Sequence, residues 1–378
     1  METYLTERHK KLFRRVRESG LVMPEGDHNS DEYAIALVRW LGNLFKKRVI
    51  EPIAVNGVAS SRALCTTRHA LAYHSGIADT MFAMQGLGSY PLILAGNSEQ
   101  LKRVDEVNAG RQIAAFALTE PEAGSDIVSM ETTAKRAGKH YILNGKKSFI
   151  SNAGIADYYI LFAKTKPALG KKGVSAFILE SNAPGLKIVR QEVIAPHPIG
   201  ELHMADCRIP AANLLGREGE GLRIALGTLD VFRPTVGAAA LGFAERALDE
   251  ALKYTHNRKQ FGQRINEFQG TQFRLADMAA HFAAAKNLVY QAAFAIDTHA
   301  EDVTLKSSIA KMFATEAAQI IVDSAVQLHG GRGVLKDSIT ERLYRDVRAL
   351  RIYEGTTEIQ KIIIARELVK KMQKENSQ

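Results

Sequence analysis

Residues 141–163, YILNGKKSFISNAGIADYYILFA, decide the fold: two short apolar runs, 141–143 and 158–163, are separated by a stretch punctuated with Asn144, Gly145, Asn152 and Gly154. Runs this short, with chain-breaking residues between them, read as strands. Working outward, 113–118 and 174–179 repeat the texture, so 112–215 is expected to be a β-domain. On either side the apolar spacing becomes helical. The N-terminal part, 1–111, reads as α-helical, with breaks at Pro24-Glu25-Gly26, Gly86 to Pro91 and Gly96-Asn97. After Gly216 long helices are expected over 219–256, 266–299, 303–328 and 357–373, making 216–378 a second helical domain.

Composition sets the class. The chain has 378 residues, 46% of them hydrophobic and 24% charged, enough to bury a large core in two or three domains. No apolar run reaches the roughly 18 residues of a membrane span. The basic N-terminal stretch (His9, Lys10, Lys11, Arg14, Arg15, Arg17) is interrupted by Glu7 and Glu18 and reads as an amphipathic helix, not an address. Two cysteines, Cys65 and Cys207, make no disulfide framework or zinc spacing and point to a reducing, cytoplasmic setting. His69, His74, His197 and His203 have no metal spacing and read as surface or core residues. The net charge of +9 fits a polyanionic small ligand or simply solvated helix faces. A nucleic-acid binder would need a clustered Lys/Arg face, and none is visible.

One carboxylate stands out. In Ile352-Tyr353-Glu354-Gly355-Thr356, Glu354 lies between apolar neighbours just before a helix start. Thr356 is a good N-cap, Glu358 an acidic first-turn residue, and Ile359, Ile362, Ile363 and Leu368 form the stripe that follows. Apolar surroundings raise a carboxyl pKa and a helix N-terminus lowers it, so Glu354 reads either as a tuned general base or as a helix-terminal acid complementing the dipole. The dinucleotide fingerprint of a nicotinamide enzyme is missing: 216–221, GREGEG, sits at a domain junction and reads as a hinge or helix start. Residues 330–333, GGRG, permit close backbone approach to a ligand, but a preceding helix needs a C-cap there anyway.

Five segments in register, FALTEPEAGSD (116–126), NGKKSFISNA (144–153), NRKQFG (257–262), HGGRG (329–333) and IYEGTTEIQ (352–360), resemble the acyl-CoA dehydrogenase family, and the match covers most of the chain. The resemblance implies an α+β fold of an N-terminal all-α domain, a middle β-barrel or sandwich and a C-terminal four-helix bundle. It implies FAD as cofactor, with Phe116, Leu118, Thr119, Phe149 and Ser151 at the ring, Thr356 and Glu358 beside it, and Arg258, Phe261, Gln269, Gln327, Gly330 and Gly331 on the cofactor of a neighbouring subunit. Homodimers or homotetramers are thereby expected. Glu354 is implied as the base. Ser125, Asp230, Phe232, Arg233, Tyr353 and Gly355 are implied at the substrate, with no metal.

The implied reaction is dehydrogenation of a saturated acyl-CoA to the trans-2-enoyl thioester, with an electron-transfer flavoprotein as electron acceptor. The second position that hosts a base in such families matches Phe232, which accepts no proton, so the resemblance is to short- or medium-length straight-chain enzymes. Glutaryl-type members carry an arginine near the position of Asp79; none stands there in sequence. Two departures matter. Phe149 replaces the usual Trp, and 194–200, IAPHPIG, replaces a glycine- and arginine-containing loop at the CoA head group. A carrier-protein thioester therefore stays open as the substrate, as does a same-fold flavin oxidase or monooxygenase; a basic nucleic-acid-binding flavoprotein is the remote alternative.

Overall fold

The computed structural model describes residues 3–18, 21–54 and 59–376. The helices in chain order are α1 (Glu7–Glu18), α2 (Asp31–Lys46), α3 (Ser61–His74), α4 (Gly76–Ala95), α5 (Ser98–Asn108), α6 (Gly221–Asn257), α7 (Gln269–Asp297), α8 (Val303–His329), α9 (Ile339–Arg348) and α10 (Thr357–Glu375). The strands are β1 (Ala114–Ala117), β2 (Thr133–Ala137), β3 (His140–Ser151), β4 (Tyr158–Lys164), β5 (Val174–Glu180), β6 (Leu186–Gln191), β7 (Ile199–Pro210), β8 (Leu214–Leu215), β9 (Lys259–Gln260) and β10 (Gln263–Arg264). They form two compact units. One comprises Met1–Leu21, Ser60–Asp79 and Asp230–Gln378, the other Val22–Ala59 and Thr80–Leu229.

The second unit is built on an eight-stranded sheet in the order β6-β7-β3-β2-β4-β5-β8, with β1 parallel to β4. Its two halves are joined at one register position, Thr133 opposite Lys164. β4 is buried along six consecutive residues, because it is paired on both edges and covered on both faces; this is why YYILFA reads as one apolar run instead of alternating. β6 and β7 were not expected as strands. β6 has little buried apolar surface and β7 alternates buried with exposed positions, so neither shows a continuous run. The expected break at Gly86 to Pro91 is also overturned: α4 runs straight through it. This helix is buried around most of its circumference, and Gly88 is glycine because a Cβ there would lie 2.4 Å from the Ala114 Cβ on β1.

The first unit packs α6, α7 and α8 around an alanine-rich core including Ala238, Ala239, Ala240, Ala293, Ala314 and Ala318. Small side chains let helix axes approach closely. At Gly237 a Cβ would meet Val289 Cγ2 at 2.8 Å. The apolar stretch of α6 that is long enough to cross a membrane is 83% buried within the fold. α9 was not expected from the sequence, since its ten residues carry three arginines and two acids around a narrow buried stripe of Thr340, Leu343 and Val347. Beyond it, a single 3-10 turn (Ala349–Arg351) leads into the loop before α10.

Candidate active site

The loop before α10 is held in a left-handed turn. Glu354 has φ +54° and Gly355 φ +92°; a Cβ on Gly355 would stand 2.6 Å from Gln360 Nε2, so only glycine fits. A non-glycine residue in this region costs on the order of 1 kcal/mol and needs neighbours that over-determine it. They are present. The buried Gln360 amide donates to the carbonyls of Glu354 (3.3 Å) and Gly355 (3.0 Å), and the buried Lys311 ammonium donates to the Gly355 carbonyl at 2.8 Å. Glu316 on α8 accepts from Arg351 (2.8 Å) and the Thr357 hydroxyl (2.7 Å), fixing both shoulders of the loop. Thr356 caps α10, its hydroxyl accepting from the Ile359 amide.

Glu354 Oε2 is buried and has no hydrogen-bond partner among the described residues. Burial pushes the carboxyl up to about 7, against the opposing charges of Arg68, Lys311 and Arg233. A carboxylate with a free lone pair and an affinity for protons in the neutral range is equipped to be a general base. Arg68, on α3, forms a bidentate pair with Asp79 on the first turn of α4 and donates through Nη1 to Thr235 Oγ1 at 2.9 Å. An arginine near Asp79 is thus present after all, contrary to the sequence expectation, because it arrives from the preceding helix. Its Nε and Nη2 are spent on Asp79. Arg233 pairs with Asp230 at 2.7 Å, while its buried Nε has no hydrogen-bond partner among the described residues. Phe232 is 1% exposed and Tyr353 38%.

In the other unit, the Thr119 segment and β3 meet through a pin. Lys147, fully buried, donates to the Leu118 carbonyl (3.0 Å) and to Glu120 (2.8 Å), and Glu120 accepts from the amides of Glu131 and Thr132. The register of β3 against β7 shifts between Lys147 and Ile150, and this bulge re-aims the chain. Phe149 is turned outward at φ +56° and left 60% exposed, with its amide donating to Gln191. An aromatic face held out of a strand, with Thr119 tied to the adjoining Ser148 amide through its carbonyl at 2.9 Å and Ser151 two residues beyond Phe149, fits a planar heteroaromatic ring. Thr119 Oγ1 makes no hydrogen bond to the described residues. Ser151 meets His197 Nε2 at 2.7 Å, so the histidine of the departing loop is neither plain surface nor plain core. Burial pushes that imidazole down to about 4. The Phe116 ring packs on Phe162 within the core, and Ser125 is exposed on the 121–126 turn.

Two further groups of expected cofactor residues are exposed at one end of the first unit. Arg258, Phe261 and Gln269 surround the β9–β10 hairpin, where Phe261 is 93% exposed. Gln327, Gly330 and Gly331 lie at the end of α8, where a Cβ on either glycine would meet nothing within 4 Å. The Tyr254 and His329 rings stack at 4.3 Å and bring the two groups side by side. Glu358 is exposed on the first turn of α10. Arg68, Lys311, Gln360, Lys147 and His197 were all missed in the sequence; four act through tertiary contacts that no local pattern announces, while Gln360 reaches back only five and six residues, within the quoted 352–360 segment.

Comparison with known proteins matches residues 115–207 to the acyl-CoA dehydrogenase middle domain and residues 219–369 to the acyl-CoA dehydrogenase C-terminal domain. The chain is 41% identical over 306 residues, 79% of each sequence, to the "Caffeyl-CoA reductase-Etf complex subunit CarC" of Acetobacterium woodii. It superposes on butyryl-CoA dehydrogenase of Megasphaera elsdenii with a TM-score of 0.88 and 32% identity, over 98% of this chain and 100% of that one. It superposes on an acyl-CoA dehydrogenase of Bacillus anthracis complexed with FAD with a TM-score of 0.89 and 29% identity, over 100% of this chain and 69% of that one.

Proposed function

The chain belongs to the acyl-CoA dehydrogenase family, FAD-dependent oxidoreductases acting on CH–CH bonds, and from that premise we propose that it oxidises straight-chain saturated acyl-CoA thioesters to trans-2-enoyl-CoA with Glu354 as base. The observation that carries this reading is the Glu354 carboxyl: unpartnered at Oε2, held near neutrality, and fixed in a left-handed turn. Glu354 takes the α-proton. The flavin, when bound, supplies the acceptor for the β-hydride. Thr119, Ser151 and Phe149 hold its ring, and Arg258, Gln269, Gly330 and Gly331 of a second copy contact its far half, which supports an assembly of two or four chains. Asp230, Arg233, Tyr353 and Ser125 contact the thioester.

Arg68 has no free fork for a distal carboxylate, which favours a monocarboxylic acyl group. In reverse, Glu354 returns the α-proton to a 2-enoyl thioester, the direction named for the Acetobacterium woodii relative; the same name supports an electron-transfer flavoprotein as partner. The loop at 194–200, occupied by His197, favours a second reading in which the acyl group rides on a carrier-protein pantetheine. The unpaired, buried Cys65 and Cys207 support a reducing, cytoplasmic setting. The test is an anaerobic absorbance titration of the flavin-loaded protein with saturated acyl-CoAs of increasing chain length. Bleaching of the flavin band by at least one is expected; a loaded protein bleached by none contradicts the reading.

A further inference from the structure

Three cations act on Glu354, and they are not equivalent. Arg68 is matched by Asp79 at 2.7 Å and Arg233 by Asp230 at 2.7 Å, so each brings its own compensating carboxylate. Lys311 has none: among the described residues no carboxylate lies within 4 Å of its ammonium, whose hydrogen bond goes to the Gly355 carbonyl. An unmatched buried ammonium is costly to keep, and Lys311 is 0% exposed. We propose that Lys311 is the positioning residue of the base, pinning the left-handed turn at Glu354 and Gly355 and supplying, among the described residues, the one cation acting on the carboxylate that has no carboxylate partner of its own.

The proposal rests on the reading of Glu354 as the base. Burial lowers the Lys311 ammonium to about 8, so it is still charged in the neutral range. The charged groups acting on Glu354 and on its cations come from five helices and its own loop: Arg68 from α3, Asp79 from α4 and Arg233 from α6 act on Glu354, Asp230 acts on Arg233, Glu316 from α8 and Glu358 from α10 act on Lys311, and Tyr353 lies beside the carboxyl in sequence. Glu316 is occupied by Arg351 and Thr357, and Glu358 by Thr356 and its own backbone amide. Removing the charge at Lys311 therefore leaves Arg68 and Arg233 acting only as halves of neutral pairs. An opposite charge at close range lowers a carboxyl pKa by about one unit or more, and its loss raises it by the same amount.

The experiment is an infrared difference titration of the Glu354 carboxyl in the flavin-loaded protein, using Glu354→Gln as the blank, from roughly pH 5 to 10. Lys311→Met removes both donor and charge, Lys311→Gln keeps a donor without charge, and Lys311→Arg keeps the charge. The midpoint, near 7 in the parent, should rise by about one pH unit in the Met and Gln variants and return in the Arg variant. The acid limb of the anaerobic bleaching rate should move with it. A midpoint unmoved in both uncharged variants overturns the proposal, as does a rate lowered equally at every pH with no shift. If the Met variant does not fold, the Gln and Arg pair decides alone. A shifted midpoint in a protein that no acyl-CoA bleaches sinks the assigned reaction and leaves this inference standing.

Discussion

Arg68 and Asp79 face each other in a two-pronged pair, Nε to Oδ1 at 2.8 Å and Nη2 to Oδ2 at 2.7 Å, with both residues 2% exposed or less. The pair ties α3 to the first turn of α4, and its two members act on Glu354 in opposite senses, Arg68 lowering the carboxyl and Asp79 raising it. Burial raises the Asp79 carboxyl above its ordinary value, and the guanidinium offsets only part of that. Deleting one partner leaves an uncompensated buried charge, which costs about 3–5 kcal/mol. Asp79→Asn should therefore lose roughly that much in urea unfolding monitored by circular dichroism. A loss under about 1 kcal/mol would mean that solvent reaches the pair.

The exposed Phe149 ring carries the second expectation. Aromatic stacking is worth about 1 kcal/mol beyond area burial, so Phe149→Ala should weaken FAD binding to the stripped protein by roughly fivefold. Phe149→Trp should match or tighten it, since the larger face adds contact. Flavin fluorescence titration reads both. Equal affinity in the Ala variant would place the ring away from the cofactor.

Stability should depend on pH through Glu354, with a definite sign. The unfolded carboxyl ionises near the ordinary 4.5, whereas the folded one holds its proton up to about 7. Between those values the unfolded chain binds fewer protons, so the parent loses stability as pH rises across the window. Glu354→Gln lacks that loss. The melting temperature of the variant minus that of the parent should be smallest below pH 4.5, climb to about pH 7 and level off; a flat difference contradicts the raised carboxyl.

Much of this was legible in the sequence, and what was missed has a common cause. The helix–sheet–helix order could be read because long periodic helices and short buried strands such as β4 leave strong local patterns. Glu354 and the Thr356 cap could be read because they lie within five residues of each other. Lys311 is 44 residues from the carbonyl it holds, and Lys147 is 27 from Glu120, so their roles exist only once the chain has folded. The bulge at Phe149 was hidden for a related reason: it depends on register with β7, a strand whose alternating burial gives no continuous apolar run.

The central claim is that Glu354 is the proton acceptor, and stopped-flow bleaching of the flavin in Glu354→Gln tests it most directly. The amide keeps size and shape but accepts no α-proton, and general-base catalysis is worth about 10² to 10⁴ in rate. Bleaching should slow at least that far while flavin and acyl-CoA still bind, and Phe232→Glu added to that variant should recover part of it. Bleaching at the parent rate in Glu354→Gln would contradict the account.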